Sequence, residues 1–389
     1  MSEWKECKLG NVLGEKGYIR GPFGSALRRG EMSECGVPVY EQKNAIYNSR
    51  EFRFFIDDKK FRELSRFQVK TDDLIISCSG TVGKISIIKE EDPKGIISQA
   101  LLILRPDTSK IDLKYLYFFL SSKQGFELIT QASHGSVQVN IAERKIVESI
   151  PLLLPSLPEQ RAIAAVLSSL DNKIDLLHRQ NKTLESLAET IWRKMFVEEA
   201  DPMWRVGKLG EEMDITMGQS PEGSTYNEDK QGMIFFQGRA EFGFRFPETR
   251  LYCTAPKRLA KEGDTLVSVR APVGDINVAF EDCCIGRGLA SVRHRKGYLT
   301  YTLYKIRSLR DEFDSFEQQG TVFGSIGKDD FNNIETFIPN EAKIREFEDV
   351  VKQLDEKIFI NSTQIRTLSH LRDTLLPKLM SGEAKVRGG

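Results

Sequence analysis

Residues 157–195 read LPEQRAIAAVLSSLDNKIDLLHRQNKTLESLAETIWRKM, and this stretch decides the fold. Apolar side chains and one asparagine recur in it at alternating steps of four and three residues, at Ile163, Leu167, Leu170, Ile174, Leu177, Asn181, Leu184, Ala188, Ile191 and Met195. Such an a/d seam, sustained over several heptads, is typical of a long coiled-coil helix. A capping box at Ser156–Glu159 precedes the seam, and the charged run Glu198–Pro202 follows it as a linker.

A second seam with the same spacing lies near the end of the chain. Its positions are Phe347, Val351, Leu354, Ile358, Asn361, Ile365, Leu368, Arg372, Leu375 and Leu379. Each stripe is too narrow to be the core face of a globular domain, so each helix needs a partner stripe. The other helix of the same chain is the nearest partner. Because the two helices close separate domains, we expect them to pack antiparallel, with the domains at opposite ends.

Asn181 and Asn361 predict the register of this helix pair. Placing the two asparagines opposite each other pairs residues whose numbers add up to 542, and every seam position then meets a seam position. A shift by one heptad would place each amide against an aliphatic side chain, so we expect the Asn181–Asn361 layer to fix the register. The alternative is that either amide is solvated or bridged by water. In this register Arg372 faces Leu170 and extends its guanidinium group into solvent.

Other segments of the chain also occur twice. Trp4 with Lys8–Gly10 returns as Trp204 with Lys208–Gly210, at an offset of 200 residues. Two further pairs are Asp73–Ser77 with Asp264–Ser268, at an offset of 191, and Asp171–Ile174 with Asp355–Ile358, at an offset of 184. A period this long differs from the short repeats of solenoid proteins. It indicates a duplicated module.

The segments outside the seams alternate short apolar runs with glycine, proline, asparagine and aspartate turns. The predicted strands are Leu74–Ser77, Ile85–Ile88, Ile96–Leu104, Thr265–Val269 and Ile276–Phe280, and the predicted helices are Lys114–Ala132 and Tyr298–Phe316. We therefore predict an α/β (α+β) fold with two domains, an intramolecular antiparallel coiled coil and a pseudo-two-fold internal duplication. The predicted domains are residues 1–150 and 201–338, and the predicted helical regions are residues 151–200 and 339–389.

The composition is that of an ordinary globular protein. The 389 residues include 56 basic and 56 acidic side chains, and the formal net charge is +0. This balance argues against a uniformly basic surface but allows a local basic groove. The six cysteines form no C-x-x-C pair, which indicates reduced thiols and no zinc site. Because no signal-like N-terminus and no run of about 18 apolar residues is present, we expect a cytoplasmic protein.

Three stretches give the chain a specific family resemblance. Leu154–Ile163 followed by Leu170–Ile174 resembles the central conserved region of the specificity subunits of type I restriction–modification enzymes, and Leu375–Gly382 resembles their closing helix. The turns Gly21–Ser25, Gly218–Pro221 and Ser79–Gly83 are similar to segments of the family's target-recognition domains. The resemblance covers essentially the whole chain. It departs from the family pattern at Ile338–Lys343, which lacks the Pro-Glu-Gln of the first copy, and at Arg270–Gly274, which lacks the first glycine.

The resemblance implies a non-catalytic DNA-binding subunit. Each target-recognition domain, residues 1–150 and residues 201–338, would read one half of a bipartite, asymmetric site in double-stranded DNA. The coiled coil would set the spacer length, and the partners would be two methyltransferase (M) subunits and motor–nuclease (R) subunits. The assembled complex would be an adenine-N6 DNA methyltransferase and an ATP-dependent endonuclease. Its AdoMet, ATP and Mg²⁺ would belong to the partner subunits, with no cofactor in this chain.

Polar and basic side chains in the loops of the two domains are the candidates for DNA contact. Arginine, asparagine and glutamine pair with guanine or adenine edges, whereas lysine mainly contacts phosphates. The candidates are Arg20, Arg28, Arg29, Lys43, Asn44, Ser79, Thr81, Lys84, Gln237, Arg239, Arg245 and Arg270. For each of them the alternative is an ordinary surface charge. The corresponding segments Gly135–Asn140 and Gly320–Ser325 either line the DNA groove or hinge each domain onto its helix.

Five basic residues on outer positions of the first long helix are the candidate contacts for the methyltransferase subunits: Arg161, Lys173, Arg179, Lys182 and Arg193. The alternative is a solvated helix face. The sequence contains no P-loop, no AdoMet-binding motif and no metal-ligand spacing. Two other functions stay as hypotheses: a coiled-coil scaffold or adaptor without DNA specificity, and a methyltransferase with divergent motifs.

Overall fold

The computed structural model of the chain describes residues 4–23, 27–130, 141, 143–318 and 324–386. The chain divides into two compact units. The first unit comprises Met1–Leu176 and Gln364–Gly389, and the second unit comprises Leu177–Thr363. Each unit includes part of both long helices. The predicted domain boundaries at residues 150, 200 and 338 therefore stay a prediction.

The first unit is built from short strands and helices that precede the first long helix. Its strands are β1 (Lys5–Lys8), β2 (Leu13–Arg20), β3 (Val37–Tyr40), β4 (Phe55–Ile56), β5 (Leu74–Ser77), β6 (Ile85–Ile87), β7 (Ile96–Ile97), β8 (Leu101–Pro106) and β9 (Pro151–Leu154). Its helices are α1 (Leu9–Val12), α2 (Gln42–Ile46), α3 (Asp58–Glu63), α4 (Leu113–Ser121), α5 (Lys123–Thr130), α6 (Arg144–Ser149) and α7 (Leu157–Arg193), which continues into the second unit. β1 pairs with β9, and two sheets have the orders β2-β8-β5-β6 and β4-β3-β7.

The sheet β2-β8-β5-β6 is antiparallel and is covered on both faces. Successive side chains of a strand point to opposite faces, so an uninterrupted apolar run buries one residue in each of two cores. Leu74 and Ile76 belong to the cluster that contains Tyr115 of α4. Ile75 belongs to the cluster that contains Tyr40 of β3. This two-sided burial explains why the first three residues of β5, Leu74–Ile76, are all apolar.

The second unit has the same strand order in its central sheet. Its strands are β10 (Arg205–Lys208), β11 (Met213–Met217), β12 (Tyr226–Asn227), β13 (Met233–Phe236), β14 (Leu251–Cys253), β15 (Leu259–Ala260), β16 (Thr265–Ser268), β17 (Ile276–Val278), β18 (Cys283–Ile285), β19 (Leu289–His294) and β20 (Glu335–Ile338). Its helices are α8 (Leu209–Glu212), α9 (Leu299–Ser308), α10 (Arg310–Gln318), α11 (Lys328–Asn332) and α12 (Glu341–Met380), which continues into the first unit. β10 pairs with β20, and the sheets have the orders β11-β19-β16-β17 and β12-β14-β13-β18-β15. The shared order agrees with an internal duplication, which itself stays a prediction.

α7 and α12 run antiparallel within each unit. In the first unit Arg372 of α12 donates to Asp171 of α7 at 3.0 Å. In the second unit the rings of Trp192 in α7 and Phe347 in α12 have centroids 5.3 Å apart. The mixed helix and strand fold and the antiparallel long helices predicted from the seams are confirmed. One detail differs, because Arg372 forms an ion pair with Asp171, so its guanidinium group does not simply extend into solvent.

The asparagine layer of the seam lies in the second unit. Both side chains are buried, and Asn361 Nδ2 donates to Asn181 Oδ1 at 2.9 Å. Asn181 Nδ2 donates to Ser362 Oγ at 3.2 Å, and that hydroxyl donates to Ile358 O at 2.7 Å. Most polar groups buried in an apolar seam are hydrogen-bonded in this way. Among the described residues Asn361 Oδ1 is the atom of this layer that has no hydrogen-bond partner. The contact is present, whereas its role in selecting the register stays a prediction.

Gln160 in the Leu-Pro-Glu-Gln segment connects α7 to α4 in the first unit. The side chain is buried, and its Nε2 donates to Pro155 O at 2.9 Å. Its Oε1 accepts a hydrogen bond of 2.8 Å from the backbone N–H of Asp112, the N-cap of α4. One amide side chain therefore fixes the start of the long helix to the helix that covers the sheet.

Glu348 makes the corresponding connection in the second unit. Its carboxylate accepts from Thr300 N at 3.3 Å and from Tyr301 N at 2.8 Å, in the first turn of α9. Burial raises the pKa of Glu348, and these two backbone N–H groups lower it. The start of α12 lacks the Pro-Glu-Gln segment, but the helix is still attached to α9. Glu348, which lies one helical turn further into α12 than Gln160 lies into α7, accepts the hydrogen bonds instead.

Arg245 lies at the centre of a buried ionic cluster in the second unit. Its side chain is 3% exposed and donates to Glu185 of α7 and to Asp355 of α12, at 3.1 Å each. It also donates to Tyr304 Oη at 3.0 Å. Arg307 of α9 binds Glu185 from another side at 2.7 Å. The loop that carries Arg245 is therefore fastened to both long helices by charge-assisted hydrogen bonds.

The short elements predicted from the sequence are present with changed ends. Leu74–Ser77 is confirmed to the residue. The run Ile96–Leu104 divides into β7 and β8, and the described part of the predicted helix Lys114–Ala132 divides into α4 and α5. Residues 131 and 132 of that prediction lie outside the described residues. The helices separate at Ser122, whose extended backbone ends α4 and whose hydroxyl accepts from an N–H of α5. Tyr298–Phe316 divides in the same manner into α9 and α10.

Replacing Arg245 by alanine should lower the free energy of unfolding by about 3 kcal/mol, because Glu185 and Asp355 would lose their buried cation. Urea denaturation of the purified chain measures this change. The control is Arg205→Ala, since Arg205 and its ion-pair partner Glu211 are both exposed, and a loss below about 1 kcal/mol is expected. Equal effects of the two substitutions would contradict a structural role for the buried cluster.

Replacing Asn361 by leucine should strand the buried amide of Asn181 and destabilise the chain by about 1–3 kcal/mol. Replacing both asparagines by leucine should recover the stability and relax the register. Engineered cysteines report the register by disulfide formation: a pair at Leu184 and Ile358 detects the observed one, and a pair at Leu184 and Val351 detects a shift by one heptad. Absence of the shifted cross-link from the double variant would show that other contacts set the register.

Candidate nucleic-acid interface

The turn between β5 and β6 presents candidate residues of the first unit. The Ser77 hydroxyl donates to Thr81 O at 2.6 Å and accepts from Lys84 N at 3.0 Å. Gly83 has a φ of +78°, and a Cβ at this position would lie 2.6 Å from the Phe126 ring. The side chains of Thr81 and Lys84 are exposed. The backbone and one buried hydroxyl thus hold the turn and leave these side chains free to contact another molecule.

The turn between β16 and β17 has the same geometry in the second unit. The Ser268 hydroxyl donates to Pro272 O at 2.7 Å and accepts from Asp275 N at 2.9 Å. Gly274 has a φ of +85°, and a Cβ there would lie 2.5 Å from the Phe313 side chain. The two turns therefore share their hydrogen bonds, their glycine and the aromatic side chain packed against it.

The side chains on these two turns differ. Arg270 stands where the first turn has Ser79, and Asp275 stands where it has Lys84. Asp275 forms an ion pair with Arg239. Within the described residues Lys84 has no ion pair. The first turn therefore offers hydroxyl groups and a free cation, whereas the second offers an exposed arginine beside a neutralised pair.

Helix α2 extends the site in the first unit. Gln42 Nε2 donates to the backbone carbonyl and to the hydroxyl of Ser79, at 2.5 Å each. Lys43 follows Gln42 and is half-buried. We call Lys43, Ser79, Thr81 and Lys84 the first loop cluster. The structure brings these four predicted residues to one place.

Gly288 joins the predicted segments of the second unit. Its N–H donates to Gln237 O at 3.1 Å, and its carbonyl accepts from Val269 N at 2.9 Å. Gln237 and Arg239 follow β13, and Arg270 follows Val269; all three side chains are exposed. We call Gln237, Arg239 and Arg270 the second loop cluster. Arg239 lies after the end of β13, and Arg270 lies after the end of β16.

Two glycines allow the ends of β2 and β11 to pass close to these clusters. A Cβ at Gly21 would lie 1.9 Å from Ser98 O, and a Cβ at Gly218 would lie 2.1 Å from Gly286 O. Only glycine fits such an approach. These residues belong to the turns that carried the family resemblance. Gly24, Ser25, Gly135–Asn140 and Gly320–Phe323 lie outside the described residues.

Three further arginines of the first unit lie near these ends. Arg20 ends β2, and its guanidinium carbon lies 6.0 Å from the centre of the Phe23 ring. Arg28 and Arg29 are exposed, and Leu27 separates them from the undescribed residues 24–26. The structure therefore leaves Arg28 and Arg29 available for contact, and their DNA-binding role stays a prediction.

Asn44 is a correction to the predicted site. Its side chain is 0% exposed. Its Nδ2 donates to Ser49 O at 2.9 Å and to Glu51 O at 3.1 Å, and its Oδ1 accepts from Glu41 N at 2.6 Å. The amide is therefore occupied in closing the loop around α2, and it cannot read a base.

Arg245 is a second correction. The sequence analysis named it as a candidate DNA contact in a loop of the second domain. In the structure it is buried and bound to Glu185, Asp355 and Tyr304. Its charge is used within the chain, so we remove Arg245 from the DNA-binding candidates.

Arg287 is an exposed cation next to the second loop cluster that the sequence reasoning missed. It lies between Gly286 and Gly288, and Arg287 N donates to Ser220 Oγ at 3.2 Å. No short motif marks a single arginine between two glycines as functional. The available signal was its alignment with Gln99 in the turn that precedes β8 of the first unit.

The basic candidates on α7 are all exposed, namely Arg161, Lys173, Arg179, Lys182 and Arg193. Arg193 forms an ion pair with Glu198 at 3.2 Å. The first two belong to the first unit, and the other three belong to the second unit. Their role in partner docking stays a prediction.

The described residues contain no group of side chains arranged to hold a metal ion. Burial raises the pKa of the Cys78 thiol to about 12 and that of the Cys283 thiol to about 12, so both are protonated at neutral pH and are poor nucleophiles. Across the described ranges no helix is both long enough and apolar enough to cross a membrane.

Comparison of the sequence with known proteins identifies a family of similar proteins. Residues 1–186 match the family described as the type I restriction modification DNA specificity domain. The chain is 30% identical to the putative type I restriction enzyme MjaX specificity subunit of Methanocaldococcus jannaschii, over 86% of this chain and 83% of that protein. It is 25% identical to the type I restriction enzyme MjaIX specificity subunit of the same organism, over 99% of this chain and 97% of that protein.

A solved structure shows the same fold. The S subunit of a type I restriction–modification system from M. genitalium superposes with a TM-score of 0.62 over 97% of this chain and 96% of that one, at 16% identity. The similarity to the first Methanocaldococcus protein extends over most of both sequences. The chain therefore belongs to the family of type I restriction–modification DNA specificity subunits.

Proposed function

We propose that this chain is a non-catalytic subunit that reads a bipartite, asymmetric DNA site, one half with each loop cluster. The observation that carries the proposal is the pair of matched turns around Ser77 and Ser268. The hydroxyl groups of Ser77 and Ser268 make the same hydrogen bonds to the backbone of their turns, whereas the exposed side chains of the turns differ. Two different half-sites require this combination of a common frame and different contacts.

The side chains of the two clusters suit different parts of DNA. In the first cluster Lys43 and Lys84 are cations for phosphates, and the hydroxyl groups of Ser79 and Thr81 bind phosphates or bases. In the second cluster glutamine and arginine side chains match the paired donors and acceptors of adenine and guanine in the major groove. Because the chain has no net charge, such local groups have to supply the attraction for DNA.

We assign the spacer between the half-sites to the long helices. α7 has 37 residues and α12 has 40 residues. At about 1.5 Å per residue α7 is roughly 55 Å long, which exceeds the ~34 Å of one DNA turn. The exposed basic residues of α7 would dock two methyltransferase subunits.

Catalysis belongs to the partner subunits in this proposal. AdoMet would bind to the methyltransferase subunits, and ATP and Mg²⁺ would bind to the partners as well. The assembled complex would methylate adenine at N6 and, with the motor–nuclease subunits, cleave DNA. This chain contributes recognition and the docking surface.

Binding to DNA should depend strongly on salt, because each phosphate contact releases counterions. Lys43→Ala and Lys84→Ala should each reduce the slope of log affinity against log salt by about 0.9 and weaken binding to all sequences alike. Fluorescence anisotropy of the complex with its methyltransferase partner on duplex DNA measures this. The control is Lys110→Ala, which removes an exposed lysine outside the loop cluster and should leave the slope unchanged. An affinity that is constant between about 50 and 200 mM salt would refute the assignment.

Exchanging side chains between the matched turns should change one half-site only. The double variant Ser79→Arg with Lys84→Asp gives the first turn the side chains of the second. Mapping of methylated adenines in DNA from cells that express the complex shows both half-sites. We expect one altered half-site, an unchanged second half-site and an unchanged spacer. The control is Lys89→Asp, which reverses an exposed charge outside the cluster. Methylation that ignores the exchange would argue for a scaffold without DNA specificity.

A further inference from the structure

Each unit contains a second matched turn beside its loop cluster. The turn Ser98–Leu101 is closed by a hydrogen bond of 3.1 Å from its last N–H to its first carbonyl, and the turn Gly286–Leu289 is closed by one of 3.0 Å. Gln99 and Arg287 occupy the same position in these four-residue turns, directly after the first residue. The two residues correspond, but their side chains differ in the hydrogen-bonding groups that they present.

The backbone of the second turn is fixed on every side. Each of its four backbone N–H groups donates a hydrogen bond. The acceptors, in the order from Gly286 to Leu289, are Phe236 O, Ser220 Oγ, Gln237 O and Gly286 O. In the first turn Ser98 N donates to Tyr40 O at 2.8 Å, and the carbonyl of Ala100 accepts from Cys78 N at 2.9 Å. Neither turn depends on the side chain of its second residue. A fixed backbone with a free side chain meets the requirement for precise positioning of a recognition group.

The surroundings of the two side chains are also suitable. Gln99 is exposed and lines a cavity of about 430 Å³ together with Arg29 and Arg53. Arg287 is exposed, and among the described residues it has no ion pair. Arg239 nearby is held by Asp275, so its guanidinium group is less available than that of Arg287. Within the second unit Arg287 is therefore a well-positioned, uncompensated cation beside the second loop cluster.

We infer that Gln99 and Arg287 are specificity-determining residues, and that Gln99 reads an adenine in one half-site and Arg287 reads a guanine in the other. Glutamine pairs bidentately with the N6 and N7 edge of adenine, and arginine pairs with O6 and N7 of guanine. The inference rests on the proposed function, because it assigns base contacts to the two clusters. It adds a pair of residues that neither the motifs nor the loop clusters contain.

The test uses the complex of the full chain with its methyltransferase partner. Its affinity is measured for duplexes that are substituted at each base pair of both half-sites. Arg287→Ala should weaken binding to the cognate duplex about tenfold to a hundredfold and abolish discrimination at one G·C pair. Arg287→Gln should transfer the preference at that pair from guanine to adenine. Gln99→Arg should produce the reciprocal change in the other half-site. A new base preference cannot arise from partial unfolding, so these exchanges separate recognition from stability.

The control is Arg205→Ala, which removes an exposed arginine of the same unit that binds Glu211. It should leave every base preference unchanged. Uniform weakening by Arg287→Ala on all duplexes, with a smaller salt slope, would show a phosphate contact and overturn the inference. Unchanged preferences in Arg287→Gln and Gln99→Arg would overturn it as well. If the unsubstituted complex preferred no bipartite site, the proposed function itself would fail, and this result is distinguishable from the other two.

Discussion

The structure depends on two apolar stripes that cannot remain in water. α7 and α12 each present a seam that no single domain covers, so the helices pack against each other and against the sheets. Ile163, Leu167 and Leu379 lie in the same buried cluster as Leu74 of the central sheet of the first unit. In the second unit one buried cluster contains Trp192 of α7, Met195 just after the end of α7, Phe347 of α12 and Val267 of the central sheet. Each unit therefore shares its hydrophobic core with the long helices.

The sequence predicted the features that depend on local periodicity. The spacing of the seams indicated the long helices and their direction, and the apolar run Leu74–Ser77 indicated a buried strand. Burial of single polar residues could not be predicted in this manner. Asparagine and arginine are residue types that often contact DNA, but Asn44 and Arg245 are buried by partners from segments that only the folded chain brings together. Arg287 was missed because one exposed arginine carries no periodic signal.

The two units attach their long helices with different side chains. Gln160 fixes α7 to α4 with an amide, whereas Glu348 fixes α12 to α9 with a carboxylate. The turns around Ser77 and Ser268 show the opposite pattern, because there the supporting hydroxyl groups are the same and the outer residues differ. Positions that support the fold keep the hydrogen-bonding function, and positions that face outward are free to diverge.

The turns Ser98–Leu101 and Gly286–Leu289 are held through main-chain groups, so the exposed residue in each can be exchanged while the domain still folds. Under the proposed function, a single substitution at Gln99 or Arg287 would therefore change the DNA target while the hydrogen bonds of the turn stay in place. Such a change of target would cost the chain little thermodynamic stability.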